Sequence, residues 1–188
     1  NKKKIVIIGC GLIGFIYAKV LKQLNCEIVA IADPDIKRLK KTLKICTKKT
    51  RSYKNHLELY KNVEVNKYDI VAIAVPACDQ LKIIKKFSEI KKHILCEKPF
   101  TRNYKEAKIA LKFCEKNKIN LAVGFKMRYE NVFQKLKEII LSKKLGNIKY
   151  VSISYYQKKP YQKWAISNGI HRESFVHPLD LLMWIFGK

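Results

Sequence analysis

The chain has 188 residues, room for one full domain and part of a second, and 48% hydrophobic with 29% charged residues and only 7 Gly and 5 Pro excludes a disordered or low-complexity segment. A formal charge of +25 raises the question of a nucleic-acid or anionic-membrane partner. However, lysines occupy nearly every segment, arginine is confined to Arg38, Arg51, Arg102, Arg128 and Arg172, and no aromatic-interleaved basic block occurs, so no specific nucleic-acid role is expected.

The N-terminus carries a decoy. Lys2-Lys3-Lys4 before the apolar run 5–18 resembles a secretory signal, but the glycines inside the run and a second strand closing on Asp33 have no place in one. From there, short β-branched runs alternate with helical patterns, the signature of βαβ units and a parallel sheet covered on both faces. Strands are expected at Lys4–Ile8, Glu27–Ala32, 70–74, His93–Cys96 and 120–123, with a weaker one at 50–53. Helices fill the gaps at 12–24, 35–43, 78–90 and 103–117, the last amphipathic through Ala107, Ala110, Leu111 and Cys114.

After Gly124 the pattern changes. A helix at Asn131–Leu141 is expected to stop at Gly146, and 147–157 alternates Ile148, Tyr150, Ile153 and Tyr155 in a strand-like register. Residues 158–169 read as a loop and 173–186 as a helix ended by Gly187. One strand and two helices do not close a domain, so the sequence is expected to stop partway through a larger one. No segment is long and apolar enough to span a bilayer. The six cysteines form no CxxC pair and sit mostly in apolar runs, which points to reduced thiols, a cytoplasmic setting and no metal site.

Gly9-Cys10-Gly11-Leu12-Ile13-Gly14 fits G-x-G-x-x-G between a strand and a helix. The first glycine permits a tight turn, the second lets a pyrophosphate approach the backbone, and the third lets helix and strand pack closely. The helix N-terminus offers N–H groups and the positive end of its dipole to phosphates. Asp33, closing the second strand, stands where a carboxylate accepts hydrogen bonds from ribose hydroxyls and repels a 2′-phosphate, so NAD is expected over NADP, a preference softened by Arg38. Ala74-Val75-Pro76 and Cys96-Glu97-Lys98-Pro99 stand at the ends of the third and fourth main strands, where loops line the ligand crevice of such sheets. The cofactor set is therefore Gly9, Gly11, Leu12, Ile13, Gly14, Asp33, Arg38, Ala74, Pro76, Glu97 and Lys98. Lys98 has the added capacity to stabilise a developing alkoxide, although a lysine at any one exposed position is commonplace in so basic a chain.

Together, GCGLIG, ADPD at 32–35, AVP at 74–76, HILCEKPF at 93–100, VGFKMRY at 123–129, LGNIKYV at 145–151 and HPLDLLMWIFG at 177–187 resemble the glucose-fructose oxidoreductase / inositol dehydrogenase / MocA family over almost the whole chain. The resemblance implies a Rossmann domain at 1–123, a doubly wound parallel α/β sheet. It also implies the beginning of an α+β substrate and dimerisation domain at 124–188, built on an open, mostly antiparallel sheet. It implies an NAD(P)-dependent oxidoreductase moving a hydride between nicotinamide and a hydroxyl or keto carbon of a sugar, cyclitol or nucleotide sugar, homo-oligomeric at full length. The alternative is a protein of the same fold that holds NAD(H) without turnover.

By motif position Lys98 matches the family lysine that contacts substrate and nicotinamide ribose, and His177 matches the catalytic histidine. Glu173 stands where many members carry Asp, and spacing i, i+4 puts it on the helix face of His177, where a carboxylate can orient an imidazole. Asp180 reads chiefly as structural; Arg128 reads as facing the site or as a surface ion pair. Departures are Gln80 where many relatives have His, Lys92 for Gly, Glu for Asp at 173, and a glycine-rich approach reduced to Asn168-Gly169. The 188 residues alone are expected to bind cofactor with little or no turnover.

Overall fold

A computed structural model describes residues 2–156 and 171–187, which fall into two compact units, Asn1–Gly124 and Phe125–Lys188. The first is built on six parallel strands: β1 (Lys4–Ile8), β2 (Glu27–Ala32), β3 (Arg51–Tyr53), β4 (Ile70–Ile73), β5 (His93–Cys96) and β6 (Leu121–Val123). Their order across the sheet is β3-β2-β1-β4-β5-β6. Strand order reverses beside β1, so the loops after β1 and β4 diverge to opposite faces and leave a crevice at their carboxyl ends. Helices α1 (Leu12–Gln23), α2 (Ile36–Leu43), α3 (His56–Asn62), α4 (Ala77–Glu89) and α5 (Tyr104–Lys116) connect the strands. The chain is therefore a doubly wound α/β fold over its first unit, as its alternation of periods implies.

The period of two along β1 shows why both faces are covered. Ile5 and Ile7 pack with Ala18, Ile31 and Leu39 on one face, while Val6 and Ile8 pack with Leu59, Ile84 and Phe87 on the other. Each such aliphatic side chain withdrawn from water contributes roughly 1.5–3 kcal/mol, which fixes register because a slip by one residue would exchange the faces. Tyr60 and Tyr68 meet the Phe87 ring edge-on at 5.5 and 6.4 Å between centroids.

Two features of this unit depart from expectation. Leu111 is 46% exposed, and the inward face of α5 instead runs through Glu106, Ala110 and Cys114, with Glu106 held by the Arg102 side chain and its own N–H by Asn103. Helix α3 is additional to the expected elements, although its signal is legible. Asn55 accepts from the N–H groups of Leu57 and Glu58, and Glu58 reaches back to the N–H of Lys54, a reciprocal cap spelled N-x-x-E.

The second unit holds a short 3-10 turn (Lys126–Tyr129), α6 (Asn131–Leu141), a π turn (His171–Phe175) and α7 (Val176–Phe186). The strand expected at 147–157 does not form over 147–156: a strand exists only as one side of a ladder, and no described residue pairs with this one. Lys143, not Gly146, takes the left-handed position just past α6, and Gly146 closes the next turn by donating to the Lys143 carbonyl. The final helix is not one α-helix from 173: its first turn is π-type, and Gly187 ends it at φ +79°. The loop expected at 158–169 lies outside the described residues. No helix among the described residues is long and apolar enough to cross a membrane.

Candidate functional site

The glycine turn is shaped by contacts a side chain would destroy. Gly9 adopts φ +94°, and a Cβ there would stand 2.3 Å from the Ala74 carbonyl oxygen; a Cβ on Gly14 would stand 1.8 Å from the Gly9 oxygen. Both are needed because β1, β4 and α1 converge on one point. Gly11 differs. It is the N-cap of α1 at ordinary φ, and a Cβ there would enter open space. Its lack of a side chain is not required by the protein's own packing, and it clears room beside the helix N-terminus, where the first-turn N–H groups lack intrahelical acceptors. Leu12 and Ile13 are exposed at that same end. The residues present thus fit a diphosphate laid across the turn.

Asp33 is 4% exposed and does more than its position foretold. One carboxylate oxygen accepts from the N–H of Cys10 at 2.7 Å and the other from the N–H of Asp35 at 2.8 Å, so it braces the glycine turn against the end of β2. Such charge-assisted bonds are worth about 1.5–3 kcal/mol each. Beside it the Cys10 thiol is pushed up to about 12, by burial first and the Asp33 charge second, and stays neutral. Arg38 is exposed and pairs with Asp35 at 3.4 Å on the surface.

The loop after β4 begins at Ala74, whose N–H donates to the Ile8 carbonyl at 2.8 Å, and reaches Pro76, the N-cap of α4. After β5, Glu97 carries the ladder one step further by donating to Ile73 at 2.9 Å. Its carboxylate accepts from the Tyr17 hydroxyl at 2.5 Å and from the N–H of Lys98 at 3.2 Å. Burial, then the hydrogen bond to Glu97, pushes the Tyr17 phenol well above its usual range. Gln80, wholly buried, donates to the carbonyls of Val75 (3.3 Å) and Glu97 (3.0 Å) and accepts from the N–H of Thr101 (2.7 Å). In the sequence Gln80 stands out only as a departure and Tyr17 not at all, because the helix pattern of α1 carries no signal of a partner 80 residues away. Lys92 acts locally. Its ammonium donates to the Tyr68 carbonyl at 2.7 Å, and burial pulls it below the usual lysine range.

In the second unit Glu173 lies on the π turn and His177 on the first turn of α7, both buried. Arg128 grips Asp180 in a two-pronged pair, Nε to one oxygen at 2.7 Å and Nη2 to the other. Of the two readings left open for Arg128, an ion pair is what forms; Asp180 accepts it. Asn168-Gly169 lies outside the described residues, and among those described no three His, Cys, Asp or Glu side chains gather as a metal site. All six cysteines are free thiols.

Two family models match the chain. Residues 3–125 match the GFO_IDH_MocA oxidoreductase family with its NAD-binding Rossmann fold, and residues 133–188 match the GFO/IDH/MocA C-terminal domain. The chain is 28% identical to the myo-inositol 2-dehydrogenase of Thermotoga maritima over 98% of its own length and 55% of that protein. It is 25% identical to the glucose-6-phosphate 3-dehydrogenase of Bacillus subtilis, over 98% and 54%. The chain thus spans about half the length of the curated relatives it matches. Among solved structures, the WlbA dehydrogenase of Chromobacterium violaceum, in complex with NADH and UDP-GlcNAcA, superposes with a TM-score of 0.88 at 22% identity, covering 99% of this chain and 56% of that one.

Proposed function

The chain belongs to the GFO/IDH/MocA oxidoreductase family, and from that premise we propose that it serves an NAD-dependent dehydrogenase or reductase acting on a CH–OH group of a sugar, cyclitol or nucleotide sugar. The observation that carries this reading is the open space beside Gly11, at the N-terminus of α1 and next to the buried Asp33. The N–H groups around Gly9, Gly11, Leu12, Ile13 and Gly14 hold the pyrophosphate, and Asp33 takes the ribose hydroxyls and disfavours a 2′-phosphate. Arg38, paired to Asp35, is a weak counterweight toward NADP. Ala74, Pro76, Glu97 and Lys98 line the nicotinamide side. Bound NAD supplies a hydride acceptor or, when reduced, a hydride donor.

In this reading residues 1–123 hold the cofactor and 124–188 begin the substrate and dimerisation domain of a cytoplasmic homo-oligomer. A ring nitrogen of His177 takes the proton of the substrate hydroxyl, Lys98 steadies the oxygen, and Glu173 orients the imidazole. The relatives named above support inositols, sugar phosphates and nucleotide sugars as the substrate range.

Calorimetric titration of the 188-residue chain is expected to show NADH binding, with NADPH at least about tenfold weaker because Asp33 faces its extra phosphate. Binding of neither would overturn the proposal. With the product of the whole reading frame, NADH formation across inositols, glucose 6-phosphate and UDP-sugars is expected to drop by roughly 10²–10⁴ in His177→Ala. Tight NAD binding without NADH formation on the whole panel would make the protein a cofactor-holding sensor.

A further inference from the structure

Lys98 is the residue on which binding and chemistry are both expected to turn, and its backbone is gripped from two sides. Gln80, on α4, bonds the Glu97 carbonyl immediately before Lys98 and the Thr101 N–H three residues after it, so one wholly buried amide brackets the loop. Its third bond, to the Val75 carbonyl, ties in the loop after β4. From the other side Tyr17, one turn beyond the glycine motif on α1, holds the Glu97 carboxylate, whose second oxygen accepts the N–H of Lys98 itself. Gly124 makes room for that carboxylate: a Cβ there would stand 2.8 Å from its oxygen.

We propose that Gln80 and Tyr17 are positioning residues that set where Lys98 stands, coupling it to the cofactor-binding helix and to the loop after β4. The inference rests on the cofactor reading above. Both donor sites of the Gln80 amide and the single Tyr17 hydroxyl are spent on these two loops. A buried amide with three backbone partners resists displacement because each broken bond leaves a group desolvated and unpaired.

The test uses Gln80→Leu and Tyr17→Phe, the second removing one hydroxyl and little else should the first fail to fold. The surroundings of Lys98 are read as its rate of acetylation relative to Lys105 and Lys112, exposed on α5, by mass spectrometry. A change of about threefold or more at Lys98 with the two reference lysines constant is expected. An unchanged ratio in a folded variant overturns the proposal whether or not the chain binds NADH. Affinity gives the second readout. Each variant is expected to weaken NADH about tenfold while ADP, which lacks the nicotinamide half, stays within about twofold. In a Lys98→Ala background the additional loss should vanish. Parallel losses of NADH and ADP, or an undiminished loss without Lys98, would mark general loosening and overturn it. Absence of NADH binding by the wild type would strike the cofactor reading alone, leaving the labelling result to decide this one.

Discussion

The two units use similar residues to opposite effect. In β1, Val6 and Ile7 are fully buried because β2 and β4 complete the ladder on both sides and helices cover both faces. In the second unit Ile148 and Tyr150, and again Ile153 and Tyr155, stand two apart as on a strand face, with the phase slipping by one between the pairs, yet all four are exposed, Tyr150 at 83%, and no ladder forms among the described residues. The lesson is that alternation belongs to a segment of chain whereas a strand belongs to a pair of segments. Stability should accordingly be concentrated in the first unit.

The sharpest break of that contrast is a pair of truncations, one at a fully buried position of the first unit and one at an exposed position of the second. Phe87→Ala removes a ring that Tyr60 and Tyr68 both touch and should lower the urea-derived stability of the first unit by about 3–5 kcal/mol. Met183→Ala on the exposed face of α7 should change stability by less than about 0.5 kcal/mol. Comparable losses from both would refute the asymmetry. Next in size is Gly9→Ala, which forces a methyl toward the Ala74 oxygen at positive φ and should cost about 3 kcal/mol. Gly11→Ala, facing open space, should leave the melting curve in place and weaken NADH. A stability loss at Gly11 would show that its role is packing rather than clearance.

Most of the first unit is legible because its signals are local: β-branched runs of four to six residues and glycines at fixed offsets mark β1, β2, β4 and β5 almost to the residue. The bracing by Asp33 and the grips of Gln80 and Tyr17 are not legible, because each joins residues distant in sequence through hydrogen bonds that leave no periodic trace. Helix α3 is easily overlooked, although Asn55 and Glu58 spell its cap. Leu111 misleads because it lies next to the buried arc of α5, and helical spacing alone does not show where that arc ends.

A smaller effect separates the units by pH. In the first unit the Cys10 thiol rises from 9.0 to about 12 through burial and the Asp33 charge, and burial also lifts Tyr17 and Cys96. A thiol harder to deprotonate when folded contributes stability that is intact below pH 9, then lost as the unfolded chain ionises first and pH climbs toward 12. For Cys10 the loss should reach about 2 kcal/mol near pH 10.5. The difference in slope between wild type and Cys10→Ala isolates it from lysine discharge, and equal slopes would sink the assignment.

The smallest expected effect probes the second unit. Arg128 and Asp180 lie 52 residues apart and join the 3-10 turn to α7; the carboxylate is 9% exposed and the guanidinium 37%. The hydrogen bonds from Arg128 to Asp180 favour the charged form and lift the guanidinium above its usual range. Asp180→Asn keeps an acceptor but loses the charge and the two-pronged geometry. With the guanidinium partly in solvent, screening holds the loss to about 1 kcal/mol. Amide exchange should quicken across 126–141 and 176–186 and stay unchanged in β1 and β4, because no part of the ladder depends on this pair. If exchange were unaffected while affinity for the proposed substrates fell in the whole protein, Arg128 would be acting on the ligand, and the ion pair would be its resting partner rather than its purpose.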